Sequence, residues 1–387
     1  MTKLIDRAFA DAIANGAFPA AELVVGKRGE IALASHYGTA RKETCFDIAS
    51  LTKPVATATL AMILCRDGLI KPSDTVYQWL AGARQPAHRQ ITIAHLIDHV
   101  SGLPAWQPYF RGLPMAMVGT EEGKGMILRE CYSEEPKAEP GEKTVYSDIG
   151  YIMLGEILEQ AAEERLDTLF AKRIAEPLGL ADTFFVRVTG SSVSTTSRRT
   201  KTRPDQHIPT PKHGAKAERP KRREGEHRRF APTEDCPWRE RVIHGEVHDQ
   251  NAYAMGGVAG HAGLFSTATD LHRFALEFTR SFRGESNLLP TDTLRGLIGQ
   301  AVAKPAGELY VGGWNRPSRK NSTSGRFFSP NTIGHLAYTG CSLWIDLEKD
   351  FWIALITNRV HPTSTNQKIA AFRPKIHDLI YTELIEH

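Results

Sequence analysis

Apolar residues recur along this chain with two different periods, and the period changes from region to region. Over residues 3–16, Leu4, Ile5, Ala8, Phe9, Ala12 and Ile13 fall on one stripe of a helix that Gly16 closes. Two apolar runs follow, 22–26 and 31–37, separated by Lys27-Arg28-Gly29-Glu30, which is the grammar of a β-hairpin. Helical spacing returns over 50–66, stopped by Gly68, and again over 92–99, 120–132, 148–165, 269–282 and 291–299. Strand patterns reappear over 308–314, 336–346 and 351–357, ahead of a last amphipathic helix at 366–385. Strands at both ends with helices between them predict an α/β (α+β) fold. Its mainly antiparallel sheet is built from the N- and C-terminal segments and flanked by helices, with a mostly helical region inserted. The sheet region is expected at about 1–50 and 300–387 and the helical region at about 51–299, within a single unit. No internal repeat is visible.

Composition changes this picture in one place. Apolar residues make up 41% of the 387 and charged residues 24%, ordinary values that exclude wholesale disorder, collagen and coiled coil. The net charge of +4, however, is uneven. Between Thr189 and Phe230 lie twelve Lys/Arg against Asp205, Glu218, Glu224 and Glu226, so this segment carries about +8 and the remainder about −4. Rich in Ser, Thr, Pro and Gly and poor in large apolar side chains, 189–230 is expected to be a disordered basic insertion. A solvated loop is the favoured reading; weak, non-specific binding of nucleic acid or an acidic partner is the sharper one. No apolar run reaches the roughly 18 residues of a membrane span. Asp6 and Asp11 interrupt the first stretch where a secretory leader needs unbroken apolarity, and five scattered cysteines suit a reducing compartment. These features predict a soluble, cytoplasmic protein.

The chemistry begins at Ser50-Leu51-Thr52-Lys53. Residues three apart share a helix face, so the serine hydroxyl and the lysine amine can meet, with Pro54 tolerated in the first turn. At a helix N-terminus Ser50 would lie where the dipole favours developing negative charge. A lysine acts as a base only after losing a proton, which burial without a carboxylate partner promotes. Taken alone, Ser-x-x-Lys is better explained by an N-cap serine and an exposed lysine.

Further stretches accompany it: Leu96-Ile97-Asp98-His99-Val100-Ser101-Gly102-Leu103-Pro104, Tyr146-Ser147-Asp148-Ile149-Gly150-Tyr151, the run from Gly256 to Ser266, and Gly334-His335-Leu336-Ala337-Tyr338-Thr339-Gly340. With these, the sequence resembles the serine β-lactamase and penicillin-binding-protein superfamily, in its class C-like branch of β-lactamase-related hydrolases and esterases, over roughly 5–188 and 231–385. The resemblance implies a β-lactamase/transpeptidase-like fold and a serine hydrolase acting on an ester, amide or β-lactam-like small molecule through an acyl-enzyme on Ser50, with no cofactor. It implies that Lys53 and Tyr146 move protons, with Asp148 where the family carries Asn. His335, Leu336 and Ala337 take the place of the strand-borne Lys-Thr-Gly or His-x-Gly motif. His335 would hydrogen-bond a substrate carboxylate or Tyr146 and change charge near its ordinary pKa of about 6.5. The oxyanion hole would use the backbone N–H groups of Ser50 and Tyr338. Leu336 lacks the hydroxyl that usually holds a carboxylate, and Ala337 adds a methyl where glycine is usual, which points toward simpler esters or amides. β-Lactamase or D-alanyl-D-alanine carboxypeptidase-like activity, or a poorly deacylating penicillin-binding sensor, is the alternative.

Asp148 also begins an apolar-periodic helix, so an N-cap role explains it equally well, and Tyr146 read alone is a packing aromatic. His95 and His99 stand at i and i+4, a metal-ligand spacing, but no third ligand is near, so ordinary histidines and no metal are expected. His244-Gly245-Glu246-Val247-His248-Asp249 reads as a loop into the glycine-rich cleft segment, and Trp314 and Trp344 as core or pocket residues.

Overall fold

The computed structural model describes residues 2–83, 85–190, 215–218, 229–286, 288–289, 291–296, 310–318 and 320–386. Helix α1 (Lys3–Ala14) buries Ile5, Phe9 and Ala12 and leads into β1 (Ala20–Lys27) and β2 (Glu30–Gly38). The chain then forms β3 (Thr44–Asp47), crosses a 3₁₀ turn at Ala49–Leu51 and a wide π-turn at Lys53–Ala58, and enters α2 (Thr59–Arg66). A single helix over 50–66 was the expectation. The break follows from Pro54, which has no N–H to give; its carbonyl instead accepts the Thr59 hydroxyl at 2.7 Å. Helix α3 (Asp148–Ala162) is almost wholly buried and packs beside α2.

The late strands are β9 (Tyr310–Val311), β10 (Trp314–Asn315), β11 (Thr332–Leu336), β12 (Ser342–Asp346) and β13 (Phe351–Thr357). Residues from both chain ends form a seven-stranded antiparallel sheet in the order β9-β10-β11-β12-β13-β1-β2, the architecture expected from the pattern. Alternation divides its two faces. Leu23 and Val25 of β1 join Phe351, Ile353 and Leu355 of β13 against α1 and the C-terminal helix, while Val24, Trp352, Ala354 and Ile356 face the larger core, where the helix Ala268–Arg283 covers β1 and β13. Both faces are covered, so these central strands read as unbroken apolar runs.

Two expected strands are hairpins instead. The stretch 336–346 is interrupted by a tight turn at 337–341, where Gly340 N donates to Ala337 O (2.9 Å) and Ala337 N to Cys341 O (2.8 Å). Gly340 sits at φ +97°, and a Cβ there would fall 2.3 Å from Thr357 Oγ1. The stretch 308–314 bends at Gly312-Gly313, and its first two residues lie outside the described ones. Trp314 and Trp344 are both core residues. A smaller sheet orders β4 (Phe184–Phe185), β8 (Leu264–Ser266), β3 and β7 (Arg229–Phe230), with β3 ending three residues before Ser50. Within the basic segment, β5 (Arg187–Gly190) pairs with β6 (Ala215–Glu218), and the expected disorder at 191–214 and 219–228 falls outside the described residues. No helix among the described residues is long and apolar enough to cross a membrane.

Candidate active site

Ser50 stands at a junction the backbone enters under strain. Ala49, a residue with a Cβ, is held at φ +43°, and its N–H is caught by Asp47 Oδ1 at 2.8 Å. The buried Asp47 also accepts His248 N at 2.5 Å, so one carboxylate ties the serine turn to the 247–249 loop. No side chain caps this turn, so Ser50 is not an N-cap.

Lys53 lies one turn further on, fully buried, and its Nζ donates to Ser50 Oγ at 3.1 Å and to His261 O at 3.0 Å. Asp148 Oδ1 is 2.7 Å from the same nitrogen, an ion-pair contact that no hydrogen-bond geometry accompanies. The amine also lies 4.8 Å from the Tyr146 ring centroid and 5.8 Å from that of Tyr151. Burial was expected, a carboxylate partner was not. Folding brings Asp148 there because Ser147, not Asp148, caps α3: Ser147 Oγ accepts Gly150 N at 3.0 Å, which leaves Asp148 as the first helical residue.

Tyr146 shares a hydrogen bond with Ser50. Burial, reinforced by the charges of Asp148 and Asp249, pushes its hydroxyl well above the ordinary tyrosine value. At neutral pH Tyr146 is therefore a phenol, because desolvation and two carboxylates outweigh the interaction with Ser50 that opposes them.

His335 also differs from expectation. Its Nδ1 lies 2.7 Å from Leu336 O, its ring centroid is 5.9 Å from that of Tyr146, and its buried Nε2 has no partner among the described residues. Burial, then the Lys53 charge, lowers its pKa to about 3. It is thus a neutral wall behind the site, with no charge change near pH 6.5 and no cation to offer a carboxylate. His99, at φ +57°, accepts Ser147 N on Nδ1 at 2.9 Å and packs on the rings of Tyr146, Tyr151 and Tyr310. Burial, with the charges of Lys53 and His335, holds it well below 6.5. His95 completes a capping box with Thr92. Among the described residues no group of His, Cys, Asp or Glu is arranged to hold a metal ion.

These neutral histidines have a measurable consequence. His377, far from the site on the C-terminal helix, is also lowered to about 3, by burial first and then by Arg373. A histidine depressed in the fold takes up its proton first in the unfolded chain, so stability is full above pH 6.5 and falls as pH drops toward 3. Replacing His377 with Phe is expected to flatten urea-denaturation stability between pH 6.5 and 4.5 by about 1.4 kcal/mol per pH unit relative to wild type. Parallel curves for the two proteins would contradict this.

The turn at 337–341 closes the site from the sheet side. Tyr338 O accepts Arg359 Nε at 2.7 Å, and Gly340 O accepts Arg373 Nη2 at 2.9 Å. Two arginines thus set the orientation of the peptides around Tyr338, whose ring is half exposed. Ala337 is buried in the turn behind it.

A cavity of about 630 Å³ opens above Ser50, Tyr146, Asp148 and Tyr338. Lys53, His335 and Ala337 lie outside its wall. Trp106, Glu234 and Trp238, not singled out in the sequence, also line it, as do His248, Asp249 and His261 from the stretches read as a loop and a glycine-rich cleft segment. Their placement has local causes. Arg239 donates to the carbonyls of Val247, His248 and Asp249 (2.8, 3.1 and 3.4 Å) and stacks on Tyr253 at 3.8 Å. Asn251 bonds Gln107 O and Phe110 N and so anchors the loop that bears Trp106. Asp249 caps the short helix Gln250–Ala254 and lies 2.9 Å from His261 Nε2. Gly260 comes so close to α3 that a Cβ would meet Tyr151 O at 2.1 Å, which fixes His261 over Lys53. The His244–Asp249 stretch showed ligand-type residues in the sequence, but nothing there indicated which of them faced Ser50.

With this geometry in place, known proteins can be compared. The Beta-lactamase family model matches residues 5–376, and the chain belongs to that family. It is similar to a protein of Salmonella typhimurium named "Putative D-alanyl-D-alanine carboxypeptidase", with 27% identity over 380 residues, 92% of this chain and 82% of the relative. Among solved structures, EstCE1, "a hydrolase with promiscuous acyltransferase activity", superposes with a TM-score of 0.66 at 19% identity, covering 98% of this chain and 100% of that one. A class C beta-lactamase gives 0.65 at 16% identity, covering 97% and 95%. At these identities the solved structures establish the fold: that of a β-lactamase-family serine hydrolase.

Proposed function

We propose that this chain hydrolyses an ester or amide through an acyl-enzyme on Ser50. The observation that carries the reading is the 3.1 Å contact of the cavity-lining Ser50 Oγ with the buried Lys53 Nζ. Ser50 Oγ attacks the substrate carbonyl and its proton passes to Lys53, while Lys53 hands one of its own protons to Asp148 Oδ1, 2.7 Å away. The oxyanion forms against the backbone N–H groups of Ser50 and Tyr338. Collapse of the intermediate breaks the bond between the acyl carbon and the leaving group, which takes its proton from Lys53 as Asp148 returns one to the amine. Water then repeats the sequence on the acyl-enzyme and releases the acid. Asp148 enters as proton acceptor because a protonated amine must send a proton to a neighbouring base before it can receive another, and Asp148 is the carboxylate in contact with it.

A 4-nitrophenyl ester tests the covalent step. The expected result is a nitrophenol burst equal to the enzyme concentration, followed by turnover, with the acyl mass on the peptide containing Ser50. An adduct elsewhere would overturn the assignment. The names of the relatives favour a second reading, cleavage of a D-alanyl-D-alanine terminus. Leu336 and the neutral His335, which leave a substrate carboxylate no partner on that strand, weigh against it. Release of D-alanine from an acyl-D-Ala-D-Ala peptide would favour it.

A further inference from the structure

The cavity around Ser50 is built to receive hydrogen-bond donors rather than a carboxylate. Asp249 shows this best. Its Oδ1 accepts Ala252 N at 2.7 Å and faces His261 Nε2 at 2.9 Å, whereas Oδ2 accepts no hydrogen bond among the described residues. The side chain is 21% exposed, and it is on the cavity wall that it emerges. Burial alone would push its carboxyl up; the His261 imidazole and the Ala252 N–H outweigh this and hold it well below the usual carboxylate range. A carboxylate with one oxygen fixed and the other facing the cavity is a preorganised anchor.

Other features point to the same ligand. His261, which pairs with Asp249 Oδ1, lines the cavity beside it, and its buried Nδ1 has no partner among the described residues. Glu234 adds a carboxylate, held at a pKa of about 2, chiefly by its hydrogen bond from His248. Trp106 adds an exposed aromatic side chain to the cavity lining, a surface that attracts organic cations, whereas the Tyr338 ring already carries the Arg359 guanidinium at 4.6 Å and stacks on His248. Opposing charge comes from Arg111, exposed on the cavity lining, from Arg359 against the Tyr338 ring, and from Lys53, buried beneath, which donates to Ser50 Oγ and His261 O and ion-pairs with Asp148. Asp249, Ser50 and Tyr146 line one cavity, so a group bound to Asp249 shares it with the reacting hydroxyl.

We infer that Asp249 anchors a protonated amino group of the substrate, and that the preferred substrates are esters or amides bearing a primary amine near the scissile bond, such as amino-acid amides. This rests on the Ser50 reading above and goes on to name its substrate class. Docking an ammonium on Asp249 would also cancel one of the negative charges that disfavour charge movement at Tyr146, so the right substrate eases its own reaction.

The test compares isosteres on the full chain: D- and L-alanine 4-nitroanilide, their N-acetyl derivatives and their N-succinyl derivatives, beside 4-nitrophenyl butyrate as a neutral ester. Free-amine substrates of one configuration should exceed the acetylated ones at least about 10-fold in kcat/KM, with succinylated ones lowest. Butylammonium should compete with 4-nitrophenyl butyrate. Asp249→Asn keeps an acceptor for the Ala252 N–H and so preserves the helix cap. It should raise KM for the amine, bring the amine-to-acetyl ratio within about 3-fold, and abolish competition by butylammonium. Asp249→Glu should recover part of the ratio, which a merely structural role would not predict. Equal or better turnover of the acetylated series, or an unchanged ratio in Asp249→Asn, overturns the amine anchor while butyrate hydrolysis keeps the Ser50 reading intact. No acylation of Ser50 by any of these compounds takes both readings down.

Discussion

Ser50→Ala is expected to lower ester hydrolysis by at least about 10³-fold and leave the fold unchanged. The hydroxyl is the one atom that the proposed chemistry uses as nucleophile, and the oxyanion donors alone sustain only a small residual rate. Structurally the loss is minor. Lys53 keeps His261 O at 3.0 Å and Asp148 Oδ1 at 2.7 Å, so removing one acceptor costs about 1 kcal/mol. The variant should therefore melt within a few degrees of wild type, with its near-ultraviolet circular dichroism intact, and show neither burst nor adduct. Activity persisting in a variant of that quality would remove Ser50 from the mechanism.

Lys53→Met is the second large effect, and it separates catalysis from packing. Lys53 is fully buried, and methionine fills much the same space without a charge. Loss of proton transfer should lower kcat by about 10²- to 10⁴-fold, with KM for a neutral ester little changed. Asp148 would at the same time lose its cation. Breaking one side of a buried pair costs about 3–5 kcal/mol, a figure to be reduced because Asp148 is 19% exposed. Lys53→Met combined with Asp148→Asn should recover most of that stability and none of the activity. A double-mutant cycle by urea denaturation measures the coupling directly. Additive stability losses would mean that the 2.7 Å contact carries little energy, and near-normal kcat in Lys53→Met would refute the relay.

Both experiments depend on residues that were legible in the sequence to different degrees. Ser50 and Lys53 were found because their three-residue spacing survives any local helical winding, even the 3₁₀ and π-turns that replaced the expected α-helix. Tyr146 and Asp148 were found by family resemblance; their electrostatics were not. The carboxylates that raise the Tyr146 hydroxyl include Asp249, about a hundred residues away in the sequence, which no spacing marks as a neighbour. His335 was assigned an ordinary titration because sequence carries no information on desolvation. Arg239, whose guanidinium orients three carbonyls of the 247–249 loop, carried no motif at all.

What the sequence by itself determined is whatever follows from short-range periodicity and composition. That includes the terminal strands and helices, the serine and lysine on one face, and the absence of a cysteine or histidine pattern suited to metal. Glycine positions also belong here in hindsight, since Gly340 and the Gly312-Gly313 pair mark the turns that split two expected strands. Only the tertiary structure decided which charges meet. The pairings of Lys53 with Asp148 and of Asp249 with His261, and the neutrality of His335 and His99, depend on distances of a few ångströms between distant segments and on the exclusion of water. Coulomb energy and desolvation vary steeply with both, and neither is encoded in the spacing of residues along the chain.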